Sequence, residues 1–143
     1  MAHLQRTLAC LLTGVAAGGL LLTAQAIAAW PELPPGVSIA ANDAFAPPEG
    51  LGAFQAMTFV IDLAPGAEFP LHSHPGRSEV MVIQGALTES DLAGVETPRP
   101  AGTSFMEEPG QVHRVRNTGS DAARLVWTIL LPDGGQLIEP HVD

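Results

Sequence analysis

The sequence predicts an all-β domain, a sandwich or barrel built from many short strands. Three observations predict it: apolar and polar residues alternate along several segments, turn-forming residues separate these segments at intervals of about eight to twelve residues, and no stretch after Trp30 has a helical period. The 143 residues include 15 Gly and 13 Pro, which disfavours a helical bundle. A chain of this length forms one domain, with room for a short extra segment.

The first 26 residues have the order of a secretory signal peptide. A short start with Arg6 precedes an apolar run from Leu8 to Leu22, and small residues spaced two apart follow it, as signal peptidase requires. We predict cleavage after Ala26, with positions up to 29 also suitable, and export to the periplasm or the exterior. The alternative is an uncleaved membrane anchor, because Thr7 to Ala29 is long enough to span a bilayer.

Residues 27–52 are rich in Pro and Gly and have weak periodicity, which predicts an extended N-terminal arm. We expect this arm to lie on a sheet edge of the domain or of a neighbouring subunit, because open sheet edges invite pairing. Residues 53–143 then form the β-barrel domain.

The strand-like segments follow one another from residue 53 onward. The first places four apolar residues on one face with the period of two that a half-buried strand requires: Met57, Phe59, Ile61 and Leu63. Later segments, each after a turn, are 79–84, 86–92, 103–107, 111–117 and 124–131. The last of these again puts alternate apolar residues on one face: Leu125, Trp127, Ile129 and Leu131.

The charge balance excludes one class of function. Fifteen acidic residues face only six arginines, and the net charge of −9 leaves no cationic face for nucleic acid phosphates. The single cysteine lies in the predicted signal peptide, so no disulfide is expected in the exported chain.

Three histidines and one carboxylate stand in a pattern typical of metal ligation. His72 and His74 are two residues apart, so both imidazoles point to one face of a strand. Glu79 follows after a short turn, and His113 follows a Pro-Gly turn farther along. One such histidine is more often a hydrogen-bonded core or surface residue, but the group together favours a site for Mn, Fe, Ni, Cu or Zn.

Two segments resemble the two motifs of the cupin superfamily. The segment from Gly66 to Gly85 is similar to the first motif, G-x5-H-x-H-x3,4-E-x6-G, and the segment from Gly102 to Asn117 is similar to the second, G-x5-P-x-G-x2-H-x3-N. The match departs from the pattern at two positions. Five rather than six residues separate Glu79 from Gly85, and Glu108 stands in place of the proline of the second motif.

The resemblance implies a single jelly-roll β-barrel with one divalent transition metal inside it. It implies that the metal ligands are His72, His74, Glu79 and His113. Apolar residues near these positions are expected to wall the cavity or simply to form the core: Met81, Ile83, Phe105, Val115 and Trp127. Cupins often dimerise, so we expect a homodimer.

Other polar residues near the motifs are weaker candidates. Glu107 and Glu108 could act as a base or proton relay, but solvated loop carboxylates are the favoured interpretation. Arg77 could guide an anionic substrate. His141 lies in the tail and is not expected to be a ligand.

Three functions remain open from the sequence. The first is a metal-dependent oxidoreductase, of the dioxygenase type, that acts on a small organic molecule. The second is a non-redox metal isomerase or decarboxylase, and the third is a protein that binds a metal or a small ligand without turnover. The fold alone does not decide among them, because function resides in the site.

Overall fold

The computed structural model describes residues 32–45 and 52–142. The predicted signal peptide, residues 1–26, lies outside the described residues, as do residues 27–31 and 46–51 of the predicted arm. Ten β-strands and no helix are present in the described part of the chain. Within these residues, therefore, no helix is long and apolar enough to cross a membrane.

The strands form two five-stranded antiparallel sheets. In chain order the strands are β1 (Val37–Phe45), β2 (Phe54–Leu63), β3 (Glu68–Ser73), β4 (Ser78–Gln84), β5 (Ala86–Asp91), β6 (Glu96–Pro100), β7 (Ser104–Glu107), β8 (His113–Asn117), β9 (Ala123–Pro132) and β10 (Glu139–Pro140). The first sheet has the order β1-β2-β9-β4-β7 and the second has the order β10-β3-β8-β5-β6. Consecutive strands repeatedly change sheet, as expected for a jelly roll.

The core lies between the inner faces of the two sheets. The predicted alternation in β2 and β9 is confirmed, because both sets of four apolar residues are buried. Phe59 on β2 and Trp127 on β9 are directly opposed in register and their rings stack with centroids 5.3 Å apart. This pairing anchors the middle of the first sheet.

Part of the predicted arm is a regular strand. β1 pairs with β2 along its length and forms one edge of the first sheet. Val37 is buried and Ile39 packs against the core, whereas most of the remaining side chains of β1 are exposed. A half-exposed edge strand needs little apolar periodicity, which is why the sequence pattern did not distinguish it from an extended arm.

The inner face of β4 differs by one residue from the sequence-based expectation. Ser78, Val80 and Val82 face the core, whereas Met81 and Ile83 are each 48% exposed on the outer face. The expectation that Met81 and Ile83 wall the cavity was therefore wrong. Phe105, Val115 and Trp127 are buried as expected.

Candidate metal centre

Three histidines from two neighbouring strands meet inside the barrel. His72 is on β3 and stands directly opposite His113 on β8, and His74 follows the end of β3. All three are at most 5% exposed, and one ring nitrogen of each lies within 4.8 Å of the others. The period of two in the sequence thus places His72 and His74 as predicted, and the pairing of β3 with β8 adds His113.

Backbone carbonyls fix the orientation of all three imidazoles. The Nδ1 atom of His72 lies 2.7 Å from the carbonyl of Pro70, that of His74 lies 2.6 Å from the carbonyl of Leu137, and that of His113 lies 3.1 Å from the carbonyl of Gln111. A carbonyl only accepts, so each Nδ1 carries the proton and donates it. The lone pair of each ring is then on Nε2, the arrangement that metal-bound histidines show.

Glu79 does not join this group. It lies on the outer face of β4 and is exposed, because the inward positions of that strand are taken by Ser78 and Val80. A shift of one residue along a strand moves a side chain to the opposite face. The expectation that Glu79 is a metal ligand is therefore corrected. The first cupin motif has six residues between its glutamate and its final glycine, and six residues lie between Ser78 and Gly85. Counted back from the glycine, the position of the motif glutamate is therefore that of Ser78, which faces inward.

A different carboxylate lies beside the histidines. Glu107, at the end of β7, is 2% exposed; its Oε1 lies 3.2 Å from Nε2 of His113 and its Oε2 lies 3.4 Å from Nε2 of His74. Oε2 also accepts hydrogen bonds from the Ser78 hydroxyl at 2.5 Å and from the Trp127 indole at 3.1 Å. The expectation that Glu107 is a solvated loop carboxylate was wrong. The available signal was its spacing of two from Phe105, which puts both side chains on one face of a strand.

The buried groups of the cluster differ in the direction of their pKa shifts. Burial, together with the neighbouring His113 and His74, lowers the pKa of His72 to about 3. Burial also lowers the pKa of His74. Burial alone would lower the pKa of His113 and raise that of Glu107. Their mutual contact outweighs it, so the pKa of His113 is raised and that of Glu107 falls to about 2. At neutral pH the metal-free cluster thus presents an ionised Glu107 beside unprotonated His72 and His74, whereas the Glu107 charge favours the protonated form of His113.

These donors fit a divalent transition metal. Neutral imidazoles with one carboxylate are a borderline donor set that suits Mn, Fe, Ni, Cu or Zn. Nε2 of His113 is buried and has no hydrogen-bond partner among the described residues, since the nearby Glu107 oxygen does not meet hydrogen-bond geometry. A buried ring nitrogen without a partner is costly unless something else binds it, and a metal ion would do so.

The other polar candidates lie away from the three imidazoles. Arg77 forms an exposed ion pair with Glu108 at 2.8 Å, so both are engaged with each other on the surface. Nε2 of His141 lies 3.0 Å from the hydroxyl of Ser73, outside the cluster. Asn117, the last residue of the second motif, is buried and donates to the carbonyls of Leu63 and Asp121, so its role is structural.

Two spaces adjoin the histidines. An internal cavity of about 30 Å³ lies against His72, His74 and Glu107, and its other walls are apolar, among them Phe69, Val80 and Trp127. A groove of about 660 Å³ lies outside, and His72, Phe69 and Ile138 line both spaces. The cavity has room for one or two water molecules, roughly, whereas the groove has the size of a small-molecule site.

Residues 59–129 match the family model of the cupin domain. The chain belongs to the cupin superfamily. It is 34% identical over 85 residues to germin-like protein subfamily 3 member 1 of Arabidopsis thaliana, covering 55% of this chain and 40% of that protein. It is 32% identical over 80 residues to Protein SchB of Streptomyces halstedii, covering 56% of this chain and 58% of that protein. The chain thus spans about half the length of these curated relatives.

Solved structures support the same family. The fold is similar to that of an uncharacterised conserved protein with a double-stranded β-helix domain from Klebsiella pneumoniae, with a TM-score of 0.54 and 28% identity. The match covers 66% of this chain and 90% of the Klebsiella chain. This cupin therefore shares nearly the whole of that protein's fold.

Proposed function

We propose that this cupin holds one divalent transition metal through His72, His74 and His113 and acts as a metal-dependent oxidoreductase of the dioxygenase type. The observation that carries the proposal is the shared orientation of the three buried imidazoles, whose Nδ1 atoms donate to carbonyls while the Nε2 atoms remain for a metal. These three histidines would hold the metal, and a redox-active ion bound there would supply electron transfer to dioxygen and polarisation of a substrate oxygen.

The two spaces beside the imidazoles differ in size and in the polar residues that line them. Phe69, Val80 and Trp127 give the internal cavity apolar walls, which disfavour bulk water next to the imidazoles and leave space for a molecule as small as dioxygen. The outer groove has apolar walls that include Leu33 and Pro70, and its polar side chains include Glu32. We assign the organic substrate to this groove, where it reaches the site past His72.

Metal analysis combined with oxygen consumption tests this function. The full chain, prepared with excess Fe, Mn, Cu or Zn in turn, should bind one metal per chain. A panel of small carboxylic acids, diols and phenols is first screened for ligands that raise the Tm, and these are then supplied in an oxygen electrode. We expect substrate-dependent oxygen uptake with a redox-active metal and none with Zn. If the chain binds no stoichiometric metal, the proposed function is wrong.

One observation favours a second candidate, a cupin that binds a metal or a small ligand without turnover. The internal cavity of about 30 Å³ is too small to enclose an organic substrate beside the imidazoles. In that case a ligand raises the Tm and is recovered unchanged. Product formation without oxygen uptake would instead favour the isomerase or decarboxylase alternative.

We further propose that the protein is exported and forms a homodimer. The order of a short start with Arg6, an apolar run and alternate small residues before position 26 supports export by a signal peptide. Membrane anchoring by an uncleaved segment is the alternative. The partners are then a small molecule and a second copy of the chain, with no role for nucleic acid.

A further inference from the structure

The carboxylate nearest the three imidazoles comes from β7 rather than from β4, the strand that follows the histidine pair. The Glu107 oxygens lie 3.2 Å from Nε2 of His113 and 3.4 Å from Nε2 of His74. Two ligands bound to one ion at about 2.1 Å stand about 3.0 Å apart in octahedral geometry and about 3.4 Å apart in tetrahedral geometry. The 3.2 Å between Oε1 of Glu107 and Nε2 of His113 is therefore compatible with two ligands of one ion, and the 3.4 Å from Oε2 to Nε2 of His74 places the same carboxylate against a second imidazole.

We propose that Glu107 is the carboxylate ligand of the metal site, in place of the first-motif glutamate, and that Ser78 and Trp127 are positioning residues that hold it. The inference rests on the metal-binding function proposed above. It assigns the fourth ligand to β7, the edge strand of the first sheet, so that the site joins both sheets of the barrel.

The hydrogen bonds of Glu107 are suited to this role. Ser78 and Glu107 are directly opposed in the pairing of β4 with β7, which brings the hydroxyl to 2.5 Å from Oε2. The Trp127 indole donates to the same oxygen at 3.1 Å from β9 on the other side of β4. Oε1 faces the His113 ring. Partners that hold one carboxylate oxygen orient the other toward a metal, as is general for ligating carboxylates.

The serine at position 78 leaves space for the Glu107 side chain. Position 78 is the inward place at the start of β4, and its side chain is 2% exposed. A serine side chain is too short to place an oxygen beside the imidazoles, but it reaches the strand next to it. Glu107 fills that space from β7 with a longer side chain. Ser78 thus contributes a hydrogen bond and Glu107 contributes the single carboxylate that would offset the charge of a divalent ion.

Titration of the full-length protein with Co²⁺ against a competing chelator tests the assignment. E107Q, which keeps the size of the side chain, should weaken Co²⁺ binding about 100-fold or more. Even the loss of a residue that only hydrogen-bonds to a metal ligand lowers metal affinity about 10–100-fold. S78A should weaken it about tenfold through loss of positioning. E79Q is the matched control, because Glu79 carries the same type of carboxylate and lies one residue from Ser78. Its Co²⁺ affinity should be within about twofold of that of wild type. The visible Co²⁺ spectrum should change in E107Q and stay unchanged in E79Q.

The outcomes separate this inference from the proposed function. If wild type takes up no Co²⁺, the metal-binding function fails and the inference fails with it. If wild type and E79Q bind while H113A loses binding and E107Q keeps wild-type affinity, the function stands and Glu107 is not a ligand. A loss in E79Q equal to that in E107Q also overturns the assignment.

A second variant covers the possibility that E107Q does not fold. E107D keeps the buried charge, and its carboxylate is one methylene short of the imidazoles. Its Co²⁺ affinity should fall at least tenfold, and wild-type affinity in a folded E107D would overturn the inference.

Discussion

At the scale of single residues, the buried histidines make the stability of the metal-free domain depend on pH. The pKa of His72 is lowered to about 3 from 6.5, so the unfolded chain binds more protons than the folded one between these values. Stability therefore falls as the pH drops below about 6.5. The raised pKa of His113 acts in the opposite sense, because its contribution is complete below 6.5 and is lost as the pH rises through the folded value. Because the two effects oppose each other, the stability of the metal-free domain passes through a maximum above the unfolded-state pKa of about 6.5.

Thermal melts of chelator-treated protein from about pH 4.5 to pH 8.5 measure this balance. We expect the Tm to peak close to neutral pH and to fall on the acidic side. Glu107, whose pKa is lowered to about 2, adds a contribution that is present above its usual value of 4.5 and is lost only in stronger acid. His72→Asn should flatten the acidic side of the profile, and His141→Asn, outside the cluster, should not. A Tm that rises steadily from pH 6.5 to pH 4.5 contradicts the prediction.

The residue scale also shows which parts of the site the sequence can predict. His72 and His74 share a face by spacing alone, and that spacing was sufficient to predict that they meet. The choice between Ser78 and Glu79 depends on which face of β4 turns inward. The sequence around them satisfies the H-x-H-x4-E spacing with Glu79, whereas the spacing to Gly85 favours Ser78. Only the structure resolves that conflict.

At the scale of the elements, β4 is the strand whose facing was wrongly predicted, and its composition explains why. Val80 and Val82 alternate with Met81 and Ile83, so both faces of the strand are apolar. The period of two then carries no information about direction. In β2 the residues that alternate with the buried apolar residues include the polar Thr58 and Asp62, and the inward face of that strand was predicted correctly. The pairing of β4 between β9 and β7 fixes its orientation, and this pairing is a long-range property.

The link between β4 and β5 depends on the backbone conformation of one glycine. Gly85 has φ of 78° at the point where the chain changes sheet, and a Cβ there would lie 2.8 Å from the Cα of Ala123. Gly94, with φ of 79°, has no atom within 4 Å of such a Cβ. Both substitutions to alanine carry the cost of the left-handed conformation, so the pair isolates the backbone clash. Gly85→Ala should lose about 1–3 kcal/mol more unfolding free energy than Gly94→Ala, measured by urea denaturation. Equal losses would show that β5 moves away freely.

At the scale of the whole molecule, the outer face of the first sheet is the feature that bears on assembly. Four large apolar side chains from three adjacent strands are between 45% and 48% exposed there: Met81, Ile83, Met106 and Leu130. Grouped exposed apolar side chains of this kind mark contact surfaces in soluble proteins. The same one-residue shift that turns Ser78 inward turns Met81 and Ile83 outward, so the inward serine and the outer apolar face have one structural cause.

The proposed homodimer places its interface on this outer face. A charge introduced at Met106 would be buried between two copies without a partner, which is costly enough to shift the equilibrium to monomer. Light scattering across a range of protein concentrations should therefore show a dimer for wild type and a monomer for M106E. Leu92, 68% exposed at the end of β5, provides the matched control, and L92E should remain dimeric. A wild-type monomer at all concentrations refutes the dimer, and a dimer in M106E moves the interface to another face of the barrel. The Co²⁺ affinity of M106E should equal that of wild type, because each proposed metal site is built from a single chain.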